Sequence, residues 1–268
     1  MAPCFVFFWG FVISYNTDNK IMRIKSSEDF VLYLTRNGLV NISNSVSTSI
    51  LIELSKKELS LTDLVEKTGK PQSTLSVHLD KMLKSGVIKA ADDPKDNRRK
   101  TYSLDSVCLA RTVPPNPKSF EVAKEIFDDM SKSPQQIGAH MTSFIISAIN
   151  SIGLSTAPMF EILGRIYSEA LKDKMENGQI QDVVSKLSEY YSYTNMGEIT
   201  VFSHNPLTLV VKSDPCVNRG ATESFGMYAK GFFIHALEEI YEMPISVKSE
   251  EIFGAEDNYY RFELDFRG

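Results

Sequence analysis

Gln72, Ser73, Thr74, Ser76, His78 and Lys81 crowd one short stretch with amide, hydroxyl, imidazole and ammonium groups. A little further on, Arg98-Arg99-Lys100 forms a run of three cations. Side chains of the first kind hydrogen-bond base edges and phosphates, and the second kind contacts the phosphate backbone or the minor groove. The chemistry to expect is reading and neutralising a nucleic acid, with bond-breaking nowhere implied. The bland alternative is a solvated helix face followed by an ordinary basic loop. A second set of candidates lies in the other half of the chain. Cys216, in SDPCVNRG, offers a thiol for sensing, and Phe225, Tyr228 and Phe232 with His235 offer the lining of an apolar ligand pocket. The aromatics recur at helical spacing, so core packing is their default reading. His204, His235 and Cys216 have no metal-ligand spacing, and no metal site is expected. The sequence holds no Gly-rich phosphate loop, zinc-protease helix or nucleophile elbow. Glu238-Glu239 and Glu250-Glu251 are sequence neighbours that point in different directions on a regular element, so no catalytic carboxylate pair and no enzyme is expected.

The stretch Leu61 to Ser103 must position the first set. LTDLVEKT reads as a short helix ended by Gly69, and Pro71 sits where only a helix start tolerates it. From there to about Ser85, Leu75, Leu79, Met82 and Leu83 recur at helical spacing, which turns Gln72, Ser73, Thr74, Ser76, His78 and Lys81 outward. Gly86 stops this helix. After Val87-Ile88, the polar, turn-rich Asp92 to Arg99 and the β-like TYSL predict a hairpin with basic charge on one arm. Upstream, VSTSILIELSKK over Val46 to Lys57 is a natural support helix. The stretch from Ser26, SSEDF followed by Val31, Leu32 and Leu34, reads as a capped short helix ending at Asn37-Gly38.

The chain of 268 residues carries a net charge of -5, unevenly distributed. Residues 22–111 hold 15 Lys/Arg against 11 Asp/Glu, a net of +4, and residues 112–268 hold 13 against 22, a net of -9. That division assigns different electrostatic tasks to the two halves. Cys4, Cys108 and Cys216 lie far apart with no C-x-x-C pair, which argues against a disulfide framework and suits a cytoplasmic protein. The apolar run Cys4 to Ile13 is too short to span a bilayer. Residues 1–21 read either as a strand packing on the core or a partner, or as a segment preceding a natural start at Met22. Leu104 to Lys118 reads as a linker, and its proline-rich TVPPNPK, 112–118, is the linker proper. From Ser119 onward, helices are expected over SFEVAKEIFDDM, IGAHMTSFIISAINSIG, MFEILGRIYSEALKDKM and IQDVVSKLSEYYSYTNM. Strands follow at EITVFSHN and TLVVKSD, then a long helix ESFGMYAKGFFIHALEEIY, then strands ISVKSEEIF and NYYRFELDF. The expected fold class is α+β: a winged helix-turn-helix domain over 22–111, and a domain over 119–268 with an antiparallel sheet and long helices.

LTDLVEKTGKPQSTLSVHLDKMLKSGVI and the wing RRKTYSL resemble winged-helix regulators of the arsenic-repressor type. Some members of that family hold a soft metal through cysteines on the helix before the recognition helix. Here that helix reads SLTDLVEK, without a cysteine. AKGFFIHALEEIYEMPISVKSEEIFGAEDNYYRFEL is similar to the small-molecule-binding domain named for 4-vinyl reductase. The combination resembles the archaeal, methanogen redox regulators that join these two modules. Where those regulators carry sensor cysteines this chain has Ile252 or Phe253 and Tyr260. The resemblance implies a transcriptional regulator that binds double-stranded DNA as a homodimer and senses a ligand through its C-terminal domain. The contrasting expectation is a small-molecule-binding, tetrapyrrole-related protein whose winged helix contacts proteins. No cofactor is named by the residues, and no membrane partner is expected.

Overall fold

The computed structural model describes residues 5–8, 11–16, 21–25, 30–93, 96–114, 116, 118–119, 121–122, 125–126, 137–194, 196–212 and 218–266. Strands β1 (Phe5–Phe8), β2 (Phe11–Asn16) and β3 (Ile21–Lys25) form one sheet in that order. The remainder divides into two compact units whose contiguous parts are Lys25–Thr112 and Val113–Gly268.

In the first unit the helix expected after Ser26 is replaced by a hairpin of β4 (Val31–Thr35) and β5 (Gly38–Ile42), with Thr35 opposite Gly38 across Arg36-Asn37. VLYLT is rich in β-branched and aromatic residues, and it buries alternate side chains, Tyr33 and Thr35, as a half-buried strand does. The other edge of β4 pairs with β9 (Val107–Thr112), so the first part of the expected linker is a strand.

Helix α1 (Ser45–Leu54) is capped by Asn44, whose side chain accepts from the Val46 and Ser47 N–H groups. The short β6 (Leu59–Ser60) leads into α2 (Leu61–Thr68), which starts with a reciprocal capping box between Ser60 and Asp63. Helix α3 (Gln72–Lys84) ends in a Schellman arrangement. The Gly86 N–H bonds the Leu83 carbonyl (3.1 Å) and the Val87 N–H bonds the Met82 carbonyl (3.0 Å). Gly86 supplies the positive φ of 73° that this reversal needs. The chain then forms the wing, β7 (Ile88–Asp93) against β8 (Asp96–Leu104), and β8 also pairs β6. Ile50, Leu51 and Leu54 of α1, Leu64 of α2, and Leu75, Leu79 and Met82 of α3 close over Val87 and Ile88 as one core. Each such fully buried side chain stabilises the unit by roughly 1.5–3 kcal/mol, which holds α3 with its other face outward.

The second unit contains α4 (Ile137–Ser151), the two-residue β10 (Leu154–Ser155), α5 (Ala157–Ala170), α6 (Ile180–Ser192), β11 (Glu198–His204), β12 (Leu207–Lys212), α7 (Arg219–Tyr241), β13 (Ser246–Phe253) and β14 (Tyr259–Asp265). The last four strands form an antiparallel sheet in the order β11-β12-β14-β13. Alternation along β14 turns Tyr260, Phe262 and Leu264 inward against α7, where Phe232, Phe233 and Leu237 are fully buried. A second side of α7 is covered by α5 at very short range. A Cβ on Gly164 would meet the Tyr228 carbonyl oxygen at 2.0 Å, and one on Gly231 would meet that of Glu161 at 2.0 Å. The architecture is the mixed helix and antiparallel-sheet class expected from the sequence.

Candidate nucleic-acid interface

The core stripe of α3 leaves Gln72, Ser73, Ser76, Val77, Asp80, Lys81 and Lys84 exposed along the opposite face. From Ser73 on, these follow one another in steps of three and one, the spacing of a single helical stripe. The Ser76 hydroxyl donates to the Gln72 carbonyl at 2.9 Å. Lys84 pairs with Asp80 at 2.7 Å one turn away. No side chain caps the start of α3, where Pro71 stands as N-cap. The first-turn N–H groups therefore have no acceptor from a capping side chain, at the positive end of the helix.

Six residues of this helix were expected to face outward; four are exposed and two are half-buried. Thr74 is half-buried. His78 is half-buried too, and its Nδ1 lies 2.9 Å from the Ser47 hydroxyl of α1, so its ring serves the packing of α3 on α1. Helical period separates a core stripe from its opposite, but His78 lies at the border, one residue before Leu79. Its partner on another helix decides which way it turns. In its place the outer face carries Val77, which is 55% exposed. Its position two residues from both Leu75 and Leu79 was the available signal for that placement. An apolar group among polar ones on an exposed helix face is of the kind that contacts a thymine methyl in a major groove.

In the wing, Arg98, Arg99 and Lys100 all fall within β8, back from the tip. Lys100 is exposed, with Asp92 as its cross-strand partner, and Lys89 of β7 is exposed as well. The side chains of Arg98 and Arg99 lie outside the described ones. The basic arm is thus a strand of the hairpin, beginning with Asp96.

The ligand candidates of the second unit are not gathered into one site. Cys216 lies outside the described residues. Phe225 packs with Ile126, Ile146 and Ala221, while Tyr228 and Phe232 belong to the main core. The Phe232 ring centroid is 5.4 Å from that of Tyr167 and 5.3 Å from that of Phe233. Burial pushes the Tyr228 hydroxyl well above its ordinary range. His204 is exposed at the end of β11. His235 places Nδ1 3.2 Å from the Ser168 hydroxyl and Nε2 3.5 Å from the Glu169 carboxylate. One ligand atom each from Glu169, His235 and Glu239 lie within 4.8 Å of one another, a donor set of the type that holds a divalent cation. Lys172 supplies the positive charge there. Its ammonium hydrogen-bonds Glu239, which raises the Lys172 pKa and lowers that of Glu239, and it lies 3.9 Å from Glu169. Cys108, a free thiol on β9, is half-buried, and burial raises its pKa, the opposite of what a reactive thiolate needs.

Residues 48–90, running from within α1 through α2 and α3 into β7, match the family described as bacterial regulatory protein, arsR family. Comparison with curated proteins and with solved structures finds no match. Among the described residues no helix is long and apolar enough to cross a membrane.

Proposed function

We propose that this chain is a DNA-binding transcriptional regulator. It binds operator DNA as a homodimer through the first unit and takes its signal through the second. The observation that carries the reading is the exposed stripe of α3, which lies within the arsR-family match and is presented by a fully packed three-helix core. Gln72, Ser73, Ser76, Val77 and Lys81 read the major groove. Lys89 and Lys100, with Arg98 and Arg99, contact the backbone or the adjacent minor groove. Two such units on a two-fold axis place their α3 helices in successive major grooves about 34 Å apart, so the operator is a pseudo-palindrome. A signal in the second unit acts by binding one spacing of the two α3 helices more tightly than another.

Anisotropy titration of the full chain against genomic fragments, over a range of salt, tests this. The expected result is binding that weakens linearly in log–log salt and prefers a pseudo-palindromic fragment. Absence of binding at low salt overturns the reading and favours a winged helix that contacts protein.

A further inference from the structure

Helices α5 and α7 run side by side in the same direction. Phe160 meets Phe225 near their beginnings, Ser168 meets His235 further along, and Lys172, just past α5, meets Glu239 in the last turn of α7. Glycines set against backbone carbonyls fix their separation, so ligands carried by this pair are held on a rigid frame. The negative ends of the two helix dipoles therefore lie together, where cations are favoured. Neither helix has a basic residue in its last turn. Instead α5 carries Glu169 there and α7 carries Glu239.

Two carboxylates at two negative helix ends oppose both dipoles and each other. Lys172 answers them with a single ammonium, bonded to Glu239 and 3.9 Å from Glu169. Arg165 is engaged with Glu238, at 3.3 Å. The third member of the cluster is His235, one turn before Glu239 on the same face of α7. Its Nδ1 is 3.2 Å from the hydroxyl of Ser168, which is buried. A fixed partner on one ring nitrogen is what orients a metal-binding imidazole. With Nδ1–H donating to Ser168, Nε2 turns its lone pair toward the Glu169 carboxylate at 3.5 Å. A lone pair and a carboxylate oxygen at that distance repel unless a positive species stands between them.

The donor atoms also converge. One each from Glu169, His235 and Glu239 lie within 4.8 Å of one another. Around an ion with bonds of about 2.0–2.2 Å, ligand atoms lie no more than about 4.4 Å apart, so small rotations of the two exposed glutamates close the site.

We propose that Glu169, His235 and Glu239 bind a divalent transition-metal ion of the zinc class, and that Lys172 is the cation it displaces. One imidazole and two carboxylates leave a position open for water, and they suit zinc better than magnesium, which takes oxygen ligands. The Lys172 side chain is 53% exposed and is free to turn into solvent. In the sequence only His235 and Glu239 stand near each other; Glu169 comes from another helix, which is why no metal spacing is visible there. The site lies outside residues 48–90, the arsR-family match, and stands whether or not the chain binds DNA.

The test is thermal unfolding and equilibrium dialysis of the full chain with zinc chloride, and with magnesium chloride in parallel. Zinc at a hundred times its Kd should raise Tm by on the order of 5 °C, and magnesium at the same concentration should not. Glu239→Gln, which keeps the shape of an exposed side chain, and His235→Ala should each lose that rise together with one equivalent of bound zinc. Zinc held by thiols elsewhere remains in these variants and is subtracted. Lys172→Ala should bind zinc about two- to fivefold more tightly, the worth of an exposed ion pair in an equilibrium constant. If His235→Ala does not fold, Glu239→Gln decides. The proposal fails if zinc leaves the parent's Tm unchanged, if the rise survives Glu239→Gln, or if magnesium gives the same rise. It also fails if Lys172→Ala binds zinc no more tightly than the parent, which would make Lys172 a permanent counter-charge to the two glutamates.

Discussion

The Nδ1 atom of His78 on α3 stands 2.9 Å from the hydroxyl of Ser47 on α1, a residue itself buried. Helix α3 is therefore pinned to its support helix by a polar bond as well as by Leu75, Leu79 and Met82. His78→Ala leaves the Ser47 hydroxyl unpaired and should cost about 1 kcal/mol in urea unfolding. DNA affinity falls only as far as the orientation of α3 loosens, and the salt slope stays that of the parent. A slope reduced by about 0.9, the signature of one lost phosphate contact, would place His78 on the DNA instead.

His78 marks a general boundary in what the sequence discloses. Gly69, Pro71, the Leu75–Leu79–Met82 stripe and Gly86 are local signals, and the helix-turn-helix stands where they place it. The partner of a border residue such as His78 is a matter of another helix, and no periodicity within α3 names Ser47. The same limit explains β4. SSEDF looks like a helix cap, but VLYLT is held as a strand by β5 and by β9, the latter far away in sequence. The alternating and amphipathic runs of the second unit needed no such information, and its sheet and long helix lie where the pattern puts them.

Val77 separates base reading from stability. Its side chain is 55% exposed and contributes little to the core, so Val77→Ala should leave the urea midpoint unchanged. If Val77 touches a thymine methyl, selection of bound fragments from a random pool shows a relaxed preference at one position of each half-site. Unchanged selectivity would assign Val77 to the solvent.

Lys81 and Lys100 lie on the two arms of the proposed interface, α3 and β8, and both are exposed. Each that meets a phosphate contributes about 0.9 to the log–log salt slope of binding. Lys81→Ala and Lys100→Ala should each lower the slope by that amount, and the double variant by about twice as much, with affinity reduced for specific and non-specific fragments alike. If Lys100→Ala leaves the slope intact, that part of β8 stands clear of the DNA.

The contact of α5 with α7 admits no side chain at two glycines, since the obstructing atoms are the backbone carbonyl oxygens of Tyr228 and Glu161. Gly164→Ala and Gly231→Ala must push the helices apart and disturb Phe232 and Tyr167 between them, at a cost of about 1–3 kcal/mol each. Denaturant unfolding measures it. The two substitutions act on one helix pair, so the double variant should lose less than the sum of the singles, because the first displacement already makes room for the second.

The capping box at the start of α2 ties stability to pH in a definite direction. The Asp63 carboxylate accepts from the Ser60 hydroxyl (2.6 Å) and the Ser60 N–H (2.9 Å), and the Asp63 N–H donates to the Ser60 hydroxyl oxygen (3.2 Å). The side-chain bond, followed by the backbone bond, holds the Asp63 pKa below its ordinary value. A carboxyl lowered on folding stabilises the native state fully above its unfolded pKa of about 4. That contribution disappears as pH falls through the lower, folded value. Ser60→Ala removes the cap and should cost about 1 kcal/mol at pH 7. Below the folded pKa the parent has already lost the carboxylate's share, so the difference between parent and variant narrows in acid. Urea midpoints of both proteins at pH 7 and near pH 3 measure it. A difference that stayed constant with pH would mean that the Ser60 hydroxyl caps the Asp63 N–H alone and that the carboxylate adds nothing to the start of α2.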